Sequence, residues 1–230
     1  MKKKLWLLFL VALTFAGLSG CAVKVSPSLS SSLGMDAFEN MKKIDLRDVS
    51  LALYIDPNIK NLKADQNIKM GEFSFYIGKA FSVKLIKALA YNFRTIYILD
   101  QLNYADFKDV DAVMIVGLQD VDVNLGVSTG LVKVSSEAAM RLAIRAEIKD
   151  IEEQKTIWVG TTQAKESGKY EEMGQMTYQE AGRGFAMSID SVVDKAIGDI
   201  IQQMSKSQNL QNYFIKWQQK RKGGAECSRS

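Results

Sequence analysis

The sequence predicts an α+β domain, a two-layer sandwich in which a largely antiparallel sheet is covered on one face by two main helices, with a short extra C-terminal helix. Three observations predict it. Apolar residues alternate with polar ones through several long stretches, which is the period of half-buried strands. Two other stretches switch to apolar residues three and four apart, the period of amphipathic helices. The long helix pattern follows the strands, so two apolar helix faces can cover one apolar sheet face and leave the other face wet.

The elements follow in order. Val49, Leu51, Leu53 and Ile55 alternate and predict a strand, ended by Asp56-Pro57-Asn58 as a turn. Phe81, Leu85, Leu89 and Phe93 fall four apart, with Ile86 and Ala90 beside them, and predict a helix. "TIYIL" is a short strand. "DAVMIVGLQDVDVNLG" starts buried and becomes alternating, with Val121, Val123 and Leu125 on one face and Gly117 as the candidate bulge. Met140, Leu142, Ile144, Ala146 and Ile148 alternate with Arg141, Arg145, Glu147 and Lys149. "DIEEQK" then turns the chain and "TIWVGTTQAKESGKY" returns, giving a long antiparallel hairpin with one wet face. The cations on that face read as a solvated surface, with a binding surface as the sharper alternative.

"EEMGQMTYQEAGRG", residues 171–184, reads as a long polar loop. Its Gly182-Arg183-Gly184 has neither the spacing nor the preceding parallel strand of a phosphate-binding loop. From Phe185 the helical period returns through Ile189, Val192, Val193, Ala196, Ile197, Ile200, Ile201 and Met204. Leu210, Tyr213, Phe214 and Trp217 mark the shorter final helix, which is expected to dock on its own domain, with a free amphipathic helix that reaches the membrane or a partner as the sharper alternative.

The N-terminus has a different character. "MKKK" is a positive n-region and "LWLLFLVALTFAGL" an apolar h-region of secretory length, somewhat short for a spanning helix. It ends on Leu18, Ser19, Gly20 and Cys21. These four residues resemble the lipobox of bacterial lipoproteins. That resemblance implies a thiol that receives diacylglycerol, cleavage before Cys21, and a mature N-terminus carrying acyl chains such as palmitate. Ala22, where an Asp would retain the protein at the inner membrane, implies the periplasmic face of the outer membrane. The expected organisation is a signal peptide at 1–20, a Ser-rich tether at 21–47, one domain at 48–222 and a flexible tail at 223–230. Cys227, in "KGGAECSRS", reads as an unpaired tail cysteine.

Composition narrows the function. The chain of 230 residues has 30 Lys and Arg against 26 Asp and Glu. Without Lys2, Lys3 and Lys4 of the leader 27 cations remain, so the mature part is close to neutral and nucleic acid is not an expected partner. Histidine is absent, which removes imidazole acid–base chemistry and the commonest metal ligand. Cys21 and Cys227 cannot form a thiolate metal site. Glu171, Glu172 and Glu180 are the candidate carboxylates, and no second group is positioned against them in the sequence. No enzyme activity, metal or cofactor is expected.

The whole layout, a lipobox followed by a β-α-β-β-β core, a long helix and a short one, is similar to the YajG-type lipoproteins of proteobacteria. The likeness is most specific over "SIDSVVDKAIGDIIQQMSKSQNLQNYFIKW". It implies no catalytic residues. A weaker likeness is to the core of the curli-secretion lipoprotein, in which "DVDVNLGVSTGLVKVS" and "TIWVGTTQAKESGKY" would have to supply membrane-spanning hairpins. The expected function is therefore that of a non-enzymatic accessory or scaffold lipoprotein, anchored by its lipid and binding an envelope protein partner. The alternative is a ring-forming, homo-oligomeric component of a secretion or surface-assembly apparatus.

Overall fold

The computed structural model describes residues 24–34, 46–68, 71–103 and 110–227. Leu18, Ser19, Gly20 and Cys21 lie outside the described residues. In chain order the elements are β1 (Lys24–Val25), β2 (Leu46–Ile55), α1 (Pro57–Lys60), β3 (Ala64–Ile68), β4 (Gly71–Phe75) and α2 (Ile77–Ala90). Then come β5 (Phe93–Leu99), β6 (Ala112–Thr129), β7 (Lys133–Asp150), β8 (Thr156–Met173), α3 (Tyr178–Lys206) and α4 (Gln208–Cys227). The α+β class is as expected.

The main sheet has the order β5-β2-β6-β7-β8. β6, β7 and β8 form the anticipated antiparallel meander, in which Met140 lies opposite both Val123 and Glu166. β2, however, pairs parallel with both β5 and β6, so half of the sheet is parallel. The reason is that α2 carries the chain from β2 to β5 as a crossover, and parallel neighbours require such a connection. The bulge in β6 falls between Leu118 and Asp120, two residues past Gly117.

One core fills the space between this sheet and the helices. Leu51, Leu53, Met114, Val116, Met140, Leu142 and Ile144 meet Phe81, Leu85, Ile189, Val193, Ile197 and Ile200. Each such large side chain, fully buried, contributes roughly 1.5–3 kcal/mol. Val121, Val123, Leu125 and Val127 face the same core, so the apolar side of the long hairpin is already covered. The opposite sheet face is wet over β7, β8 and the distal half of β6, where Asp120, Asp122 and Asn124 are exposed. At the parallel end it carries a second apolar cluster of Ala52, Leu99, Val110 and Val113, with Tyr54, Tyr97 and Ile115 packed beside it.

Three expectations are corrected. First, a second sheet of order β1-β4-β3 exists. Its strands are short, and the polar "ADQNI" of β3 has no apolar alternation to reveal it. Gln66 fastens it to the main sheet by donating to the Val123 carbonyl and accepting from the Leu125 amide. Phe73 and Phe75 fix it from below, each edge-on to Phe185 of α3.

Second, residues 171–184 are not a loop. β8 runs to Met173 and α3 starts at Tyr178. Thr177 and Glu180 close a capping box there, the hydroxyl of Thr177 accepting from the Glu180 amide while the carboxylate accepts from the Thr177 amide at 2.7 Å. The two glycines are contact points. A Cβ at Gly182 would lie 2.7 Å from Pro27, and one at Gly184 2.4 Å from the Ser136 hydroxyl and 2.6 Å from Tyr170.

Third, the Ser-rich stretch is part of the domain over 24–34. β1 pairs with β4, and Leu33 is buried in the core. At Asp56-Pro57-Asn58 the expected turn is the helical turn α1, with the Asp56 carboxylate capping the Asn58 amide at 2.7 Å. The final helix docks as expected, burying Leu210 and Phe214, and continues to Cys227.

Candidate functional site

The described part of the chain begins three residues after Cys21, and a buried ion cluster holds that beginning in place. Lys84, on α2, points its stem into the core and is fully buried. Its ammonium lies 2.9 Å from Asp190 and 2.8 Å from Asp194 on α3. Those two carboxylates are one turn apart, so they reach the same cation from one helix face. Each spends its other oxygen on the incoming chain, Asp190 accepting from the Ser30 amide at 2.8 Å and Asp194 from the Gly34 amide at 3.0 Å. Lys87 adds a bond to the Ser31 carbonyl at 2.7 Å. The Ser-rich segment is thus latched along α3 by charge-assisted hydrogen bonds, roughly twice as strong as neutral ones.

At the other end of the molecule, α4 and the β7–β8 turn enclose an open hollow of about 530 Å³. Asp150 organises it. One carboxylate oxygen accepts from the Glu153 amide at 2.6 Å and fixes the turn, while the other accepts from the Tyr213 hydroxyl and the Trp217 indole. Burial, then the hydrogen bond to Asp150 and the charge of that carboxylate, push the Tyr213 phenol far above its ordinary range, so it remains a donor. Glu152, Lys155, Asn209, Asn212 and Lys216 line the rest. Sequence reasoning missed the hollow because its residues come from segments 50 positions apart.

The candidate carboxylates are not gathered into a site. Glu171 is bonded by Lys169 and Lys133, which hold it below the ordinary carboxylate value. Glu172 accepts from the Tyr170 hydroxyl, raising that phenol. Glu180 belongs to the cap of α3. Among the described residues, no group of three or more His, Cys, Asp or Glu is placed to hold a metal ion. Cations of the wet face are drawn into ion pairs, two of them between strands, Arg141 with Asp120 at 2.8 Å and Lys169 with Glu137 at 3.7 Å, and one along β7, Lys149 with Glu147 at 2.9 Å. Such pairs are worth little each in water, and the pattern is that of a solvated sheet face.

No helix among the described residues is long and apolar enough to cross a membrane. No family model matches the sequence, and no curated protein matches it. Among solved structures, the chain is similar to a Xanthomonas campestris protein of the DUF330 family, with a TM-score of 0.45 and 9% identity over 81% of this chain and 100% of that one. It is similar to a Helicobacter pylori homologue of a neuraminyllactose-binding hemagglutinin, with a TM-score of 0.45 and 10% identity over 84% of this chain and 100% of that one. A minor lipoprotein of Acinetobacter baumannii is similar at a TM-score of 0.33 and 10% identity, over 68% of this chain and 92% of that one.

Proposed function

We propose that this chain is a lipid-anchored lipoprotein of the bacterial outer membrane, facing the periplasm and acting without catalysis as an accessory or scaffold for an envelope protein partner. The observation that carries the reading is Cys21 at the end of "LSGC", where a basic, then apolar, leader meets small residues. A thiol there is the acceptor that lipid transfer needs, and several acyl chains give stable anchoring where one would be marginal. The latch supports the reading. With β1 already formed at Lys24, only Ala22 and Val23 lie between the lipid-bearing cysteine and a strand of the body, which keeps the domain close to the bilayer. The hollow around Asp150 and Trp217 is the proposed partner contact.

The mass of the protein isolated from its own envelope tests the anchor. The expected species begins at Cys21, carries the mass of added acyl chains, and is lost in Cys21→Ser. A protein released by osmotic shock with no added acyl mass overturns the reading. The ring-forming alternative is favoured by one feature, the position of the 18-residue β8 as the last strand of its sheet, since such an edge is a template for another chain. A ring-sized native mass in mild detergent would replace the scaffold reading with it.

A further inference from the structure

The turn between β6 and β7 carries an apolar cluster that the fold does not use. Leu131 is fully exposed, Val132 is 68% exposed and Met173 78% exposed. They are held there by backbone bonds. The Gly130 amide donates to the Lys133 carbonyl at 2.8 Å, and the Gly174 amide donates to the Val132 carbonyl at 2.9 Å, tying the end of β8 to the same turn. Tyr178, the first residue of α3, is 40% exposed just beyond Met173. Scattered exposed apolar residues are normal, but clustered ones mark a contact.

The chain direction shows which end of the molecule this is. The Asp56 amide bonds the Val116 carbonyl, and Gln66 bonds Val123 and Leu125, so from 56 to 66 the chain advances along β6 toward the turn. β4 runs antiparallel to β3 and β1 parallel to β4, so traced backward from Val25 to Lys24 the chain heads toward the turn as well. The latch agrees: Pro27 sits at Gly182, Ser30 at Asp190 and Gly34 at Asp194, so the chain departs from the α3 end that adjoins β8. The three residues from Cys21 to Lys24 span at most about 10 Å. The acyl chains and the apolar turn therefore leave the same end.

We propose that Leu131, Val132 and Met173 insert into the phospholipid surface beside the acyl chains, a second membrane contact borne by the protein itself. This rests on the acylation of Cys21 proposed above. Two contacts at one end orient the domain where a lipid alone would let it swing, and they direct the Asp150 hollow away from the bilayer.

The test uses the full acylated protein, purified from its envelope and reconstituted into vesicles of phosphatidylethanolamine and phosphatidylglycerol, a fraction of them with brominated acyl chains. Tryptophan is introduced by Leu131→Trp, and in a control at the opposite end by Glu152→Trp. Both sites are exposed, and a melting curve checks that each variant folds. The expected result is fluorescence quenched at least twofold more in Leu131→Trp than in Glu152→Trp. Vesicle-bound protein with equal quenching in both overturns the insertion and leaves the lipid anchor standing. Equal quenching together with cross-links between copies at position 131 overturns it in favour of a second copy of the chain. Protein that carries no acyl group and stays off the vesicles overturns both readings.

Discussion

Lys84 shows how much a single side chain organises. A buried cation costs several kcal/mol to desolvate, and only the two carboxylates of α3 offset that cost. Breaking a buried pair by removing one partner costs about 3–5 kcal/mol, and the one-fifth exposure of Asp190 and Asp194 puts this case near the low end. Lys84→Met is therefore expected to destabilise the protein by about 3 kcal/mol in urea unfolding. It should also speed hydrogen exchange at the Ser30 and Gly34 amides, whose acceptors lose their counter-charge. Exchange at those amides unchanged from wild type would show that the latch does not depend on Lys84. None of this was legible in the sequence. A lysine among apolar helix positions looks like one with its head in water, and the two aspartates lie 106 and 110 positions further along the chain.

At the scale of elements, legibility followed length and period. The 18-residue strands could be read because each apolar residue on the core face repeats the same statement, and the core stretch of α3 because its face spans many turns. The short strands of the second sheet carry only one or two apolar side chains each and are stabilised by their neighbours. The start of α3 was legible in principle, since "TYQE" has the Ser/Thr-x-x-Glu form of a capping box. Gly182 and Gly184, which disfavour helix intrinsically, pointed the other way. They are there because β8 and the incoming chain approach too closely for a Cβ, so packing overrides propensity. The cap makes a pH prediction. Bonds from the Thr177 backbone amide, then its hydroxyl, hold Glu180 below its ordinary value of 4.5. A carboxyl whose folded value is depressed contributes stability that is present above 4.5 and is lost as pH falls through the lower folded value. The melting temperature of wild type is thus expected to drop toward that of Glu180→Gln as pH falls below about 4.5, the gap between them being largest near neutrality. A gap independent of pH would remove Glu180 from the cap.

The molecule as a whole is a long sheet whose two ends carry different features. β7 alone, at about 3.3 Å per residue, separates the turn at Leu131 from the turn at Asp150 by about 55 Å. The incoming chain, the latch and the apolar turn belong to one end, and α4 with its hollow to the other. α4 joins the body through Leu210 and Phe214, the latter edge-on to Phe93 at 6.0 Å, and through the Tyr213–Asp150 bond. Two buried apolar side chains contribute about 3–6 kcal/mol together, a large share of the 5–15 kcal/mol that holds a typical domain. At roughly 2–4 °C per kcal/mol for a chain of this size, ending the protein at Ser207 should lower its melting temperature by about 6–24 °C in calorimetry. Because the proposed anchor and the apolar turn belong to the far end, the same truncation should leave vesicle binding of the acylated protein intact below the new melting point. If binding is lost together with α4, the two ends are not independent, and the upright orientation on the bilayer fails with them.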